Sequence, residues 1–530
     1  MEFDLLIRGG VVFDGSGHPP HPADVAVIGD RIAAVGQLEL ASAAHTVDAR
    51  GMAVAPGFID SHTHSDMACF LGADHIDVAA AAVRQGVTTE VCGNCGFSPF
   101  PARPGRQVEL QRHLGTLFGP AHIDWTDLAG YREAVQTRGL IGNLAPLVGH
   151  GSLRAAVLGF QERAADRHEI EEMTRLLDAA LEQGALGLSS GLVYMPGAAA
   201  DTDEMVALAR SVADRGRVYT SHIRGETDMV ADSVREAIEV GRKAAVPVHI
   251  SHHKVCGRQN YGRTSETLEI IDAAPRSGLD ISTDAYPYTA ASTLLYAMLP
   301  GWVQAGGVDA MVERLADGQV RDRIQREFEH GSPTWQNIPR AAGWDDIVIS
   351  NCPGRPEVEG TSVADLARDA GASPASYVFD LLVERHGDVM MVVHMMDEGD
   401  VARVLSYAGT MVGSDGIPLP GKPHPRWAGT FARVLGLHSR EQQLFGLSEA
   451  IHKMTAQTAD RFGLQGRGRL ITGAFADIVV FEPDTIRDAA TYDSPLLPPV
   501  GVKHVLVNGR PVVEDRVLIP TRPGRLVSAS

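Results

Sequence analysis

The 530-residue sequence has few cysteines, no long apolar run and too few basic residues to balance its acidic ones. Five cysteines, an odd number in so long a chain, are typical of a reducing compartment rather than a disulfide framework. No apolar run approaches the roughly 20 residues that a transmembrane helix needs. The net charge of −19, from 47 basic and 66 acidic residues, argues against nucleic acid or an anionic membrane as partner.

The N-terminal stretch MEFDLLIRGGVVFDG also lacks the basic start and apolar block of a signal peptide. We therefore expect a cytoplasmic protein. Its 44% hydrophobic and 21% charged residues are those of a globular chain, and its length predicts more than one domain. Composition leaves the oligomeric state open.

Both ends of the chain are rich in short strands. Residues 1–55 contain LLIRGGVVF and DVAVIGDRIAAVG, and the stretch from about residue 465 to residue 530 contains ADIVVFEP and HVLVNGRPVVED. Two such ends around a different middle predict that residues 1–55 and 465–530 pair into one small β-sandwich domain.

The middle, residues 56–464, alternates apolar strands with amphipathic stretches. Its eight predicted strands are the segment 53–62 followed by GVTTEVCG, LIGNLAPLVG, GALGLSSGLVY, RVYTSHIRG, VPVHISHHK, LDISTDAYPY and GTMVGSDG. Eight βα units favour an α/β fold of the (β/α)8 barrel type over an open doubly wound sheet. The long interval at about 290–350, after strand seven, predicts a mostly helical insertion over the mouth of the barrel.

The segment GFIDSHTHSDM ends the first of these strands with two histidines. Alternate residues of a strand point to the same side, so His62 and His64 converge. Two neutral imidazoles held together are suitable ligands for zinc or a similar divalent ion. An HxH pair alone is a weak signature, because most such pairs are incidental.

Further polar residues follow the ends of other predicted strands, where barrel enzymes keep their active sites. These residues are Cys92 and Cys95 in CGNCG, His222 in TSHIRGE, His252 and Lys254 in ISHHK, and Asp415 in SDG. Four histidines, a cysteine and an aspartate at five strand ends predict a metal site.

Two of these motifs, ISHHK and CGNC, each contain more than one residue that could bind a metal ion. Alternation along strand six places His252 and Lys254 on one face and His249 with His253 on the other. Since the chain has no second CxxC, a zinc ribbon is a poor interpretation of CGNC, and Cys92 is predicted to be a packed strand cysteine.

The motifs PGFIDSHTH, GVTTEVCGNCG, SHIRGE, ISHHK, GSDG and PHPRWAGTF resemble the amidohydrolase superfamily, and more narrowly its D-aminoacylase branch, the N-acyl-D-amino-acid deacylases. The likeness covers nearly the whole chain. It implies a Zn²⁺ site in which Cys95 replaces the carbamylated lysine of many relatives. It also implies that His222 and His252 are the tight ligands and that His62 and His64 complete a second, weaker position, without telling whether both are filled.

The same resemblance implies hydrolysis of N-acyl-D-amino acids to a carboxylate and a free D-amino acid. Asp415 is expected to be both a metal ligand and the catalytic acid and base: it accepts a proton from the metal-activated water and passes it to the departing amine. Lys254, Tyr286 and Arg426 fall where the branch binds the α-carboxylate, with Tyr288 as the alternative to Tyr286.

The side-chain pocket is less well determined. A substrate with an acidic side chain requires an extra cation, for which Arg103, Arg106, Arg154 and Lys422 are candidates. The apolar turns LVYMPG and GFSPFP favour a neutral or hydrophobic D-residue instead.

Three rival functions share this barrel. A cyclic amide hydrolase of the hydantoinase or dihydroorotase type usually keeps the bridging lysine, and a nucleobase deaminase would not have the NCG turn. A catalytically inactive barrel that serves as a binding protein would be expected to lose ligands, whereas this sequence retains the full set.

Overall fold

The N-terminal part of the chain contributes five strands to one sheet. They are β1 (Phe3–Val12), β2 (His21–Ile28), β3 (Arg31–Gly36), β4 (Ala43–Asp48) and β5 (Ala53–Pro56). The computed structural model describes residues 2–118, 122–331 and 335–529. Among those residues, no helix is both long and apolar enough to cross a bilayer.

The predicted strand 53–62 is two strands with different partners. β5 pairs with β1 in the terminal sheet, whereas the next strand, Phe58–Asp60, pairs with Val87–Cys92 of the barrel. Gly57 lies between them, and a Cβ there would meet the side chain of Thr88 at 2.2 Å. The chain therefore passes from one sheet to the other through a position that is too crowded for a side chain.

Seven parallel strands of the barrel then alternate with helices. The strands are β6 (Phe58–Asp60), β7 (Val87–Cys92), β8 (Asn143–Pro146) continued by β9 (Val148–Gly149), β10 (Gly187–Gly191), β11 (Val218–His222), β12 (Val248–Ile250) and β13 (Ile281–Ala285). The helices between them are α1 (Ile76–Ala79), α2 (Ala81–Arg84), α3 (Gln107–Phe118), α4 (Leu128–Arg138), α5 (His150–Val157), α6 (Arg167–Glu182), α7 (Thr202–Ala213), α8 (Val230–Ala244) and α9 (Thr264–Ala273).

The outer helices follow from local sequence. α6 begins with a capping box, in which the Asp166 carboxylate accepts from the Glu169 backbone and the Glu169 side chain accepts from that of Asp166. α8 buries Val230, Val234 and Ala237 at the spacing of one helix face, and that face packs on the barrel wall.

An insertion follows β13. It comprises β14 (Ala290–Leu294), α10 (Gly301–Gln304), α11 (Val308–Leu315), α12 (Gly318–His330), α13 (Ile338–Ala342), β15 (Ile347–Asn351), α14 (Val363–Asp369), α15 (Pro374–Glu384) and β16 (Met390–His394). The strands form an antiparallel sheet in the order β14-β16-β15, and most of the insertion's buried residues form a core of their own.

The predicted insertion at about 290–350 was therefore too short. Its first strand pairs with residues about a hundred positions later, in β16. Such a long-range partner leaves no mark on the local pattern, and α14 and α15 look like ordinary barrel helices in sequence.

The barrel closes after the insertion. α16 (Glu398–Ser406) leads to β17 (Thr410–Val412), which pairs in parallel with β13. On its other side, the Ser61 amide donates to the Val412 carbonyl at 3.3 Å, and Thr63 bridges to Gly416. This closure supplies the eighth strand and confirms the predicted (β/α)8 fold class.

The C-terminal part returns to the first sheet. After α17 (Arg426–Arg433), α18 (Leu447–Lys453) and α19 (Ala456–Phe462), the chain forms β18 (Ile478–Phe481), β19 (Val502–Val507), β20 (Arg510–Glu514) and β21 (Val517–Leu518). β18 pairs with β5, so that strands from both ends form one nine-stranded sheet. Strands from the two ends therefore pair as the sequence predicts, and the domain bounds 1–55 and 465–530 stay a prediction.

A buried polar network joins this terminal sheet to the barrel. Arg467 donates to the Asp477 carboxylate and, at 3.1 Å, to Asn508 Oδ1. The Asn508 amide group then donates to Asn143 Oδ1 on β8 at 2.8 Å. Arg467 and Asp477 are each 4% exposed, so the charge of each depends on the other.

Asp477→Ala is expected to destabilise the protein by about 3–5 kcal/mol, because it leaves the Arg467 guanidinium buried without a counter-charge. The matched control is Asp460→Ala, which breaks the ion pair with Arg469 where the aspartate is 59% exposed, and which should cost about 1 kcal/mol or less. Thermal unfolding of both variants measures the difference. Equal melting temperatures would contradict this account of the network.

Candidate metal centre

His62 and His64 enter the barrel mouth because residues 61–64 continue the ladder of β6. The Thr63 amide donates to the Val91 carbonyl of β7 at 2.9 Å, and the His64 amide donates to the Gly416 carbonyl at 2.9 Å. This segment is therefore held on both sides, and the two imidazoles lie with their ring centroids 5.5 Å apart.

The Cys95 thiol lies at the centre of the cluster. Its Sγ is 3.3 Å from His62 Nε2, 3.3 Å from His252 Nε2 and 3.4 Å from His222 Nδ1. The two nitrogens of His222 and His252 are themselves 2.9 Å apart. Cys95, His222 and His252 thus form one compact set of donors.

A second set of donors uses the same sulfur. Asp415 Oδ1 lies 3.1 Å from His64 Nε2 and 3.4 Å from His62 Nε2. His62, His64, Cys95 and Asp415 each offer one donor atom within 4.8 Å of the others, and all four are buried. The structure therefore brings together all six residues that the sequence proposed as ligands.

The chemistry of these donors fits zinc. Imidazole nitrogen, thiolate sulfur and carboxylate oxygen are the ligands that zinc takes in proteins. Burial disfavours ionisation of the Cys95 thiol, but the imidazoles of His62, His252 and His222 outweigh it and hold the pKa of Cys95 well below its usual range. The sulfur is thus available as a thiolate.

Three of the donors occupy strained backbone positions. Cys95, His252 and Asp415 have φ angles of 53°, 36° and 50°, in the left-handed region that non-glycine residues seldom adopt. Strain of this kind is concentrated at functional sites, where the surrounding structure maintains it. At each of these positions the turn after a barrel strand directs the side chain to the common centre.

The alternation argument that favoured His252 assumes that this residue lies on strand six. The structure does not support that assumption. β12 ends at Ile250, and His252 lies in the turn beyond it. The pairing of His249 with His253 on one face is wrong: His249 contacts Asp284 at 2.7 Å, whereas His253 contacts Thr267 on α9 at 2.8 Å. The two side chains point to opposite sides of the barrel wall.

Asp284, which sequence reasoning missed, supports two of the donors. Its Oδ2 lies 3.4 Å from His62 Nδ1 and 2.7 Å from His249 Nε2, and its Oδ1 accepts from the His252 amide at 2.8 Å. A carboxylate behind a ligating histidine fixes the orientation of the ring. The sequence feature that could have identified Asp284 is its position at the end of strand seven, in STDAYPY.

Glu226 supports the ring of His252, whose backbone amide is held by Asp284. Glu226 is 4% exposed, and its Oε1 lies 3.2 Å from His252 Nδ1 and 2.6 Å from Lys254 Nζ. Lys254 Nζ also lies 2.7 Å from His252 Nδ1, so both residues contact this edge of the ring while Nε2 faces Cys95. Arg224, two residues before Glu226 in the chain, is paired with a different carboxylate, that of Glu236, at 2.9 Å.

The predicted carboxylate-binding residues form one group beside Asp415. Arg426 Nη1 is 2.9 Å from Asp415 Oδ2, and the guanidinium lies 4.7 Å from the centre of the Tyr286 ring. Lys254 Nζ lies 5.5 Å from the same ring. The Tyr286 hydroxyl is buried and has no hydrogen-bond partner among the described residues.

Tyr288 occupies a different environment. Its ring lies 4.9 Å from the guanidinium of Arg433, outside the group formed by Lys254, Tyr286 and Arg426. The geometry therefore favours Tyr286 over Tyr288, although its role stays a prediction.

Cys92 is fully buried in the main core, as a packed strand cysteine would be.

The fold and this cluster identify the class of the protein. Residues 45–513 match the amidohydrolase family, and the chain belongs to that family. An eight-stranded barrel with histidines after its first, fifth and sixth strands and an aspartate after its last agrees with that membership.

Characterised relatives narrow the class to the predicted branch. The chain is 39% identical to D-aminoacylase of Alcaligenes xylosoxydans xylosoxydans, covering 99% of this chain and 98% of the relative. It is also 39% identical to N-acyl-D-glutamate deacylase of the same organism, covering 99% and 96%. These similarities confirm the resemblance to the D-aminoacylases.

A solved relative shares the whole fold. The N-acyl-D-glutamate deacylase of Bordetella bronchiseptica, in complex with zinc and a phosphonate that mimics the tetrahedral intermediate, superposes with a TM-score of 0.85 at 37% identity. The match covers 100% of both chains.

Cys95→Ala is expected to abolish tight zinc binding, because both sets of donors lose their common ligand. Cys92→Ala removes a buried thiol of the same turn that is not a member of either set, and it should retain zinc. Zinc analysis after gel filtration of the purified variants measures the difference. Full zinc content in Cys95→Ala would contradict the shared-ligand arrangement.

Proposed function

We propose that this protein hydrolyses the amide bond of N-acyl-D-amino acids and depends on zinc for activity. The observation that carries the proposal is the sulfur of Cys95 shared by two sets of donors, with Asp415 held between the histidines and Arg426. The full-length similarity to D-aminoacylases supports the same conclusion.

Cys95, His222 and His252 form the position that would hold zinc most tightly, and His62, His64 and Asp415 complete the second. Bound zinc polarises a carbonyl and lowers the pKa of a water molecule to near neutrality. Asp284 and Glu226 orient the rings of His62 and His252, so that their nitrogens face the centre before substrate arrives.

Asp415 moves the proton in this reaction. Its carboxylate accepts a proton from the attacking water and returns it to the nitrogen of the departing amine. Burial opposes its ionisation, but the neighbouring Arg426 and His252 charges hold the pKa of Asp415 well below its usual range. The group is therefore ionised, as a base must be, before water attacks.

Arg426 and Tyr286 recognise the α-carboxylate. Both present a donor beside Asp415, and the Tyr286 hydroxyl is buried without a partner among the described residues. Lys254 adds positive charge 5.5 Å from the centre of the tyrosine ring while it remains paired with Glu226. With the carboxylate and the scissile carbonyl both fixed, an L-residue would direct its side chain into the wall.

The charges around the mouth support a neutral side chain on the substrate. Three of the four candidate cations, all but Lys422, have a carboxylate partner among the described residues. Arg154 is buried against Glu204 at 2.5 Å, and Arg103 is paired with Glu172 at 2.8 Å. Arg106 lies 3.4 Å from Glu109.

All five cysteines are free, which agrees with the cytoplasmic location that we propose.

The test is release of free amino acid from paired N-acetyl-D and N-acetyl-L substrates by zinc-loaded protein. Methionine, leucine and glutamate derivatives sample the side-chain pocket. We expect cleavage in the D series alone, with methionine or leucine preferred to glutamate. Cleavage of neither series by zinc-loaded protein would overturn the proposed function and favour cyclic amides instead.

Asp415→Asn is expected to lower kcat by about 10²–10⁴-fold while most of the zinc is retained, because the amide cannot accept the proton. Asp488→Asn is the control: this carboxylate is also paired with an arginine, Arg433 at 3.1 Å, but lies outside both donor sets. Steady-state kinetics and zinc analysis measure the two effects. A variant at 415 that kept most of its turnover would refute the assigned role.

A further inference from the structure

A groove of about 720 Å³ lies beside the metal centre, between loops of the barrel and the insertion. Its walls include Gln111 on α3, Phe160 after α5 and Met195 after β10 on the barrel side, and Val308 and Met311 on α11 of the insertion. Its size is that of a small-molecule site. The function proposed above leaves this groove without a role.

Only a layer of aromatic rings separates the groove from the centre. His64 meets Phe97 with ring centroids 6.5 Å apart, and Phe97 stacks at 4.5 Å on His113, which lines the groove. Tyr194 lies 5.1 Å from His222 and 5.4 Å from Phe97. Met195, the next residue, also lines the groove, so a single layer of rings lies between the groove and the histidines of the centre.

The groove lies across the barrel mouth from the carboxylate-binding group. Lys254, Tyr286 and Arg426 follow strands six, seven and eight of the barrel, whereas Phe97, Phe160 and Met195 follow strands two, three and four. In an N-acyl amino acid, the α-carboxylate and the acyl chain lie on opposite sides of the amide bond. A substrate held by its carboxylate at Arg426 therefore directs its acyl chain towards the groove.

The chemistry of the groove selects the kind of acyl chain. Met311 is 1% exposed, and Phe160, Met195 and Val308 are half-buried, so the inner surface is apolar. The charged groups Arg112, Asp309 and His386 are each more than 60% exposed at the rim. Asp309 lies 2.8 Å from His386 and 4.0 Å from Arg112. The lining also contains one further cation, Arg385, and one further carboxylate, Asp388, so the groove carries charges of both signs and no cluster of cations alone.

We infer that this groove is the acyl subsite, and that the protein prefers N-acyl-D-amino acids whose acyl chain is apolar and extended, such as hexanoyl or octanoyl, over the N-acetyl derivatives. The inference rests on the proposed function and adds to it the class of acyl group. Each methylene that enters the groove and leaves water should raise kcat/KM by up to about fourfold.

The experiment compares acetyl, butanoyl, hexanoyl and octanoyl derivatives of one D-amino acid with the zinc-loaded protein. We expect kcat/KM to rise along the series. Cleavage of the acetyl compound with a flat or falling series would overturn the acyl subsite and leave the proposed function intact. Cleavage of none of the four compounds would overturn both.

Two variants and one control test whether the preference for long acyl chains arises in the groove. Gln111→Trp places an indole in the groove and is expected to lower the ratio of octanoyl to acetyl kcat/KM at least tenfold. Val108→Trp puts the same side chain on the same helix at a position that is 49% exposed and outside the groove, and it should keep the unmodified ratio. Val308→Trp tests the opposite wall, so misfolding of one variant does not decide the outcome. Unchanged ratios in properly folded Gln111→Trp and Val308→Trp would refute the assignment.

Discussion

The contact on which the centre depends is the convergence of three imidazoles on the sulfur of Cys95. The sulfur belongs to both sets of donors, so the geometry of each set depends on one turn after β7. That turn is fastened by Ser189, whose hydroxyl contacts the Gly93 carbonyl at 2.5 Å and accepts from the Gly96 amide at 3.1 Å. A residue of the fourth barrel strand, β10, thereby helps to hold the left-handed Cys95 after the second strand, β7, in position.

Charge is balanced around the centre in alternating layers. The donors are surrounded by Asp284 and Glu226, and Glu226 is in turn neutralised by Lys254. On the other side, Arg426 compensates Asp415. Buried charges of both signs remain tolerable because each has a partner within hydrogen-bonding distance. The same arrangement keeps the carboxylate proposed for catalysis ionised and the arginine proposed for carboxylate binding close to it.

Local sequence was sufficient to place the six proposed ligands at the ends of barrel strands, whereas their individual roles came from the resemblance to the D-aminoacylase branch. It was insufficient for Asp284, whose importance comes from its tertiary contacts with His62 and His252. For Glu226, four residues after His222, the sequence allows a supporting role and surface exposure equally, and only the structure shows its contact with His252. Alternation misplaced His249, because the chain leaves strand geometry before His252. The extent of the insertion was missed for a related reason, since β14 pairs with a strand about a hundred residues away.

The pairing of β5 with β18 has a consequence for synthesis on the ribosome. The strands at the start of the chain acquire this partner only when almost the whole protein has been translated. Until then β5 presents an open edge, and open edges pair readily with other chains. The first barrel strand waits almost as long, because its segment at Ser61 closes the barrel against Val412. Both sheets are therefore completed only when most of the chain has left the ribosome.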